Sequence, residues 1–189
     1  LFHYPTSDTL KDSPYVKKIV KIELGAKSDH WPEDYPEIMP IVEEMIPGAL
    51  KDPKVKIKAL KPERTFWEKA TILHVFANYT QERTVQERQS RHYYDFYKLL
   101  KSNVKETAKD DIGLLNRVAV HKDFYFRAAY ANYQDAKKGT LKLIPEKWVL
   151  DEMKKDYNAM SEMFYGTRIK WDDIVNEVQD FEVTFNQRP

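Results

Sequence analysis

The sequence predicts a mostly helical α+β fold, on three observations. Eight of the ten prolines (Pro5, Pro14, Pro32, Pro36, Pro40, Pro47, Pro53 and Pro62) lie in the first 62 residues, and none occurs between Pro62 and Pro145. Proline blocks a helix interior and removes a ladder donor, so the first third has to be built from strands, turns and irregular chain. Two segments there carry strand patterns: residues 16–24 (VKKIVKIEL) are rich in β-branched side chains, and residues 55–60 (VKIKAL) alternate strictly. Finally, Met153, Tyr157, Met160 and Phe164, and then Ile174, Val178, Phe181 and Phe185, recur at helical spacing as core or interface stripes.

The elements follow in order. Residues 28–53 are dense in turn formers and leave room for one short helix over 38–45, with Pro40 near its start. Pro62 suits a first helical turn, and 63–78 run on without a breaker. A polar link over 79–90 leads to a helix over 91–101. Residues 104–120 form another helix, interrupted near Gly113. The aromatic-rich stretch 124–137 reads as helix and stops at Gly139. Pro145 opens the next helix, which ends at Gly166, and the acidic first turn at Asp172–Asp173 opens the last. The expected core joins 16–24 and 55–60 in one small sheet packed on the 63–78 helix.

Composition removes several functions. Thirty-one Lys+Arg against 30 Asp+Glu leave a net charge of +1, which argues against a strongly basic nucleic-acid domain. The absence of cysteine excludes a disulfide scaffold and a Cys-ligated metal. A 42% hydrophobic and 13% aromatic content excludes a disordered chain. No 18-residue apolar run and no basic-then-apolar leader is present, so the expectation is a cytoplasmic protein. The first residue is Leu1 rather than Met, and the chain reads as a piece of a longer protein.

Three segments can carry chemistry. In the 62–74 run PERTFWEKATILH, a helical wheel puts Phe66, Ala70, Leu73 and Ala77 on one face and Ile72 and Val75 on the other. The helix is therefore buried nearly all round, with Lys69 projecting between Leu73 and Phe76. A Lys there has to snorkel, pair with a carboxylate or face a polar ligand. In the 88–100 run RQSRHYYDFYKLL, Asp95 lies at the edge of a face formed by Phe96, Leu99 and Leu100. Its bland reading is an ion pair with Arg91 or Lys98 on the same helix; its functional reading is an acid that holds a catalytic cation. The third is Glu23, near the end of an apolar strand. The five histidines lack ligand spacing, and no Walker A, G-x-G-x-x-G or G-x-S-x-G motif is present.

The run Arg64-Thr65-Phe66-Trp67-Glu68-Lys69-Ala70 with Leu73-His74, followed by Ser90-Arg91-His92-Tyr93-Tyr94-Asp95-Phe96-Tyr97, resembles the AbiEii/AbiGii nucleotidyltransferase toxin family. The stretch from Ile22-Glu23-Leu24-Gly25 to Trp31-Pro32 and the tail from Gly139-Thr140-Leu141 through Asp156-Tyr157 resemble it too. The resemblance implies a polymerase-β-like nucleotidyltransferase sheet followed by a C-terminal helical domain, here divided as residues 1–61 and 62–189. It implies a toxin of a toxin–antitoxin or phage-defence system that transfers a nucleotide from an NTP to RNA, with tRNA among the acceptors, and with a cognate antitoxin as partner. On it, Lys69 and Asp95 are the catalytic pair, Lys69, Arg91 and Arg64 bind nucleotide, and Glu23 is a metal-binding carboxylate.

The family's Gly-Ser/Thr pair followed by a D-x-D strand is not found: Gly139-Thr140 and Gly166-Thr167 lie far down the chain with no acidic strand after them. Two-metal phosphoryl transfer needs such carboxylates. The expectation is therefore Mg²⁺ in the intact parent, none in this chain, and no transfer by this chain alone. Two rivals remain. One is a non-catalytic helical module that binds an antitoxin through Phe124, Tyr125, Tyr130 and Tyr133. The other is an RNA surface over Arg83, Arg88, Arg91, Lys98, Lys101 and Lys105, against which stands an ordinary solvated charged face.

Overall fold

A computed structural model describes residues 2–3, 19–22, 24–25, 27, 29–164 and 166–187. Its core is helical. Helix α2 (Pro62–Ala77) has proline at its first position and buries Phe66, Trp67, Ala70, Leu73 and Phe76. Around it pack α3 (Arg91–Leu100), α4 (Val104–Asp110) and α5 (Ile112–Tyr125), while α6 (Lys147–Ala159) and α7 (Trp171–Asn186) complete the helical body. Aromatic contacts join the layers: the Phe66 ring lies 4.8 Å from Phe96 and 5.5 Å from Phe181, and Trp67 lies 5.3 Å from Phe185. Both predicted C-terminal stripes face this core; of their eight side chains only Phe164 is less than fully buried.

The fold is mostly helical α+β, as predicted, but its strands pair differently. Among the described residues, 55–60 do not join the 16–24 segment. Instead β3 (Glu33–Asp34) pairs antiparallel with β6 (Ala59–Leu60), and β4 (Glu37–Ile38) with β5 (Val55–Lys56). The 16–24 segment contributes β2 (Ile19–Val20), paired with β1 (Phe2–His3); Glu23 and residues 16–18 lie outside the described residues. Closing the shorter loop costs less chain entropy, and charges support the register: Lys54 reaches Glu37 at 3.3 Å, and Lys58 pairs with Glu33. Pro40 acts as N-cap of α1 (Ile41–Met45), so the short helix starts later than residue 38.

Three further expectations are corrected. The α4/α5 break falls at Asp111, whose carboxylate accepts the Leu114 N–H at 3.0 Å, and not at Gly113. The helix starting after Pro145 ends at Ala159 and gives way to a 3-10 turn (Ser161–Met163) before Gly166. Residues 124–137 do not form one helix: α5 runs out at Tyr125, and two 3-10 turns follow, Ala129–Ala131 and Tyr133–Asp135. Between them Asn132 adopts the left-handed conformation, φ +48°, which Asn tolerates better than most residues. Its carbonyl accepts from His74 Nε2 at 3.0 Å, and His74 Nδ1 accepts the Lys142 N–H at 3.1 Å. His74 is thus a fully buried staple between α2 and two loops, and its burial lowers its pKa.

Candidate functional site

Lys69 and Asp95, 26 residues apart, converge on one point. Lys69 Nζ donates to Asp95 Oδ2 at 2.6 Å and to His92 Nδ1 at 3.2 Å. The helices that carry them meet through Phe66, Phe76, Tyr93 and Phe96, so the separation of Lys69 from Asp95 is set by core packing. Asp95 takes its cation from α2; the intrahelical pair with Arg91 or Lys98 does not form. The Lys69 side chain is 20% exposed and that of Asp95 is 42% exposed, so the pair sits at the surface end of the core. A pair this open contributes little to stability, and burial alone does not explain its presence.

The register of α3 is fixed from outside. Asp156 on α6 accepts from the backbone N–H groups of Arg88 (2.6 Å) and Ser90 (2.8 Å) and from the Ser90 hydroxyl (2.6 Å). A carboxylate at a helix N-terminus satisfies orphan donors and meets the positive end of the dipole. Ser90 is fully buried, and His92 and Asp95 follow within two turns.

His92 and Lys122 were not among the candidates from sequence. The His92 pKa is pushed down to about 4, first by burial and then by the charges of Lys69 and Arg91. Its ring is therefore neutral near pH 7. A lysine ammonium can only donate, so Nδ1 is the acceptor and the proton sits on Nε2. Lys122, near the end of α5, has its pKa lowered by burial, with Arg64 and Lys69 lowering it further and Glu68 opposing. No metal-ligand spacing marks His92 in the sequence; its position three residues before Asp95, on the same helical face, is the signal that points to it.

Arg64, one turn before Glu68, is fully buried. It donates through Nη1 to Asp29 Oδ2 (2.8 Å) and the Trp31 carbonyl (2.6 Å), and through Nε to Glu68 (3.0 Å); Nη2 is buried without a partner. Arg117 grips the same Asp29 at 2.9 and 3.2 Å and lies 4.5 Å from the Trp31 ring centre. The two guanidinium groups hold the Asp29 carboxyl well below the usual carboxylate range. Arg91 is exposed on α3. Among the described residues no group of three or more His, Cys, Asp or Glu side chains could hold a metal, and the residues present do not fit a two-metal centre. No helix among them is long and apolar enough to cross a membrane. Phe124, Tyr125 and Phe126 are exposed, whereas Tyr133 is buried, which removes it from the exposed aromatic set.

Comparison with known proteins gives the family. The family model described as "Nucleotidyl transferase AbiEii toxin, Type IV TA system" matches residues 1–177. No curated protein and no solved structure matches the chain.

Proposed function

The chain belongs to the AbiEii nucleotidyl transferase toxin family, and from that premise we propose that it is the C-terminal part of an enzyme that transfers a nucleotide from an NTP to an RNA, with tRNA the first acceptor to try. The family's type IV toxin–antitoxin description implies a nucleotide substrate and an antitoxin partner; a role in phage defence is part of the proposal. The observation that carries it is the 2.6 Å contact between Lys69 and Asp95 across two helices, held at the mouth of a packed core.

In this reading Lys69 meets the triphosphate as a positioned cation, and Asp95 orients it. An ammonium fixed in a partly dry setting stabilises phosphate charge more than the same group in water does. Arg91, exposed on the same helix as Asp95, supplies a second cation. Arg64 acts at one remove: its guanidinium is out of solvent and braces Glu68 and the 29–31 segment. Any Mg²⁺ that the intact parent uses would be held outside the described residues and would supply charge neutralisation there. The sequence has no Gly-Ser/Thr pair followed by a D-x-D strand, so the proposal assigns the carboxylates that hold the metal, apart from Glu23, to a part of the protein outside this chain.

The test is incubation of this chain, and separately of the full-length gene product, with labelled NTPs, Mg²⁺ and a tRNA pool. Labelling by the full-length protein and none by this chain is expected. Robust labelling by this chain alone would mean the catalytic centre lies elsewhere. A second reading, a non-catalytic module that binds an antitoxin, draws on the exposure of Phe124 (77%), Tyr125 and Phe126. It predicts no labelling by either protein and antitoxin binding that is lost on Phe124→Ser.

A further inference from the structure

We propose that His92 is a positioning residue for Lys69: its Nδ1 and the Asp95 carboxylate together aim the ammonium, leaving the third Nζ proton for a phosphate oxygen of the bound nucleotide. The proposal rests on Lys69 being the triphosphate contact. A lysine has three N–H donors on a flexible four-carbon stem. One acceptor fixes its distance but lets the head group swing; two acceptors on different sides fix its direction. His92 and Asp95 lie three residues apart on α3, one turn from each other, and Lys69 reaches across from α2 to both. Among the described residues Lys69 has no third hydrogen-bond partner.

The arrangement works only with a neutral His92, because an imidazolium would present an N–H and a positive charge to the ammonium. Burial first, and then the charged groups facing the ring, keep it neutral. Lys69 from α2, Arg91 from α3 and Lys122 from α5 all oppose its protonation, the Phe76 ring lies 6.1 Å away, and of the carboxylates Asp95 pulls the other way. Asp156 fixes the start of α3 two residues before His92, so the acceptor does not depend on a frayed helix end. A histidine kept merely for packing would need neither this tautomer nor this partner.

The experiment uses this chain labelled with ¹⁵N at lysine. A positioned ammonium exchanges its protons slowly, so the Lys69 Nζ–H signal should be visible near neutral pH. His92→Asn, whose amide oxygen can stand where Nδ1 does, should keep it. His92→Leu should lose it, with the backbone spectrum otherwise unchanged. ATP affinity should fall about tenfold in His92→Leu, as expected for one hydrogen bond to a charged group, and by less than about twofold in His92→Asn. Should His92→Leu not fold, His92→Gln, with its acceptor displaced from the Nδ1 position, takes its place. An unchanged Lys69 signal and unchanged ATP affinity in the acceptor-less variant would overturn the proposal. If the signal is lost while ATP affinity is unchanged in both that variant and Lys69→Ala, the positioning stands and the reading of Lys69 as the phosphate contact falls.

Discussion

Lys69 makes a charged contact at the rim of the core, and the histidines around the core tie that rim to pH. His92 and His74 both titrate below the free imidazole value of 6.5, with burial the largest cause in each. A lowered folded value means that the unfolded chain binds protons first as the pH drops. Their contribution to stability is therefore complete above about pH 6.5 and is lost as the pH falls, through about 4 for His92. The urea midpoint should fall between pH 7 and pH 5, and the fall should be shallower in His92→Asn; an equal slope in the two proteins would contradict the environment assigned to His92. Asp29, lowered by its two arginines, contributes stability above the ordinary aspartate range, begins to lose it as the pH falls through that range, and goes on losing it below.

At the scale of elements, α3 is held as much by its neighbours as by its own sequence. Asp156 satisfies three donors at its start, and hydrogen bonds to a charged group are worth about 1.5–3 kcal/mol each at most. Asp156→Ala should lower stability by at least about 2 kcal/mol, read from the urea midpoint, and should speed the exchange of the Lys69 ammonium protons, because the whole α3 register loosens. Ser90→Ala, which removes one of the three donors, should cost about 1 kcal/mol. The helices with clean apolar periodicity, α2, α3 and α7, were legible in sequence to within a residue or two. The stretch from Phe124 to Leu143 was not. Without a proline or glycine before Gly139 it reads as one helix, yet α5 runs out at Tyr125 and the chain turns at Asn132 in a left-handed conformation that no such residue marks. The Lys69–Asp95 contact was legible in two steps: a lone charge in an apolar helix needs a partner, and the family resemblance implies that both residues share one site. Asp156 was not, since a capping acid 66 residues from Ser90 leaves no local signature.

For the whole molecule, the contrast is between a packed helical body and an arm with no core of its own. Among the described residues from 19 to 61 none is buried, and Ile22, Leu24, Ile41, Met45 and Ile46 are largely exposed. The arm is fastened where Asp29 and the Trp31 carbonyl meet Arg64 and Arg117. Asp29→Asn leaves a buried guanidinium short of a counter-charge, a change that costs about 3–5 kcal/mol for buried pairs. It should speed amide exchange at Ile57 and Lys61, whose N–H groups bond to Pro36 and Pro32, more than in α2 and α7. Uniform acceleration across the helices would show that the arm and body open together. The family assignment and the Lys69 contact meet in one measurement: nucleotide transfer to a tRNA pool by the full-length gene product and its Lys69→Ala variant. Removing a positioned cation from the transition state costs about 10²–10³ in rate, so the variant should lose at least about a hundredfold in transfer with its melting temperature nearly unchanged. Transfer by Lys69→Ala at the wild-type rate would contradict the assignment of this site to the chemistry.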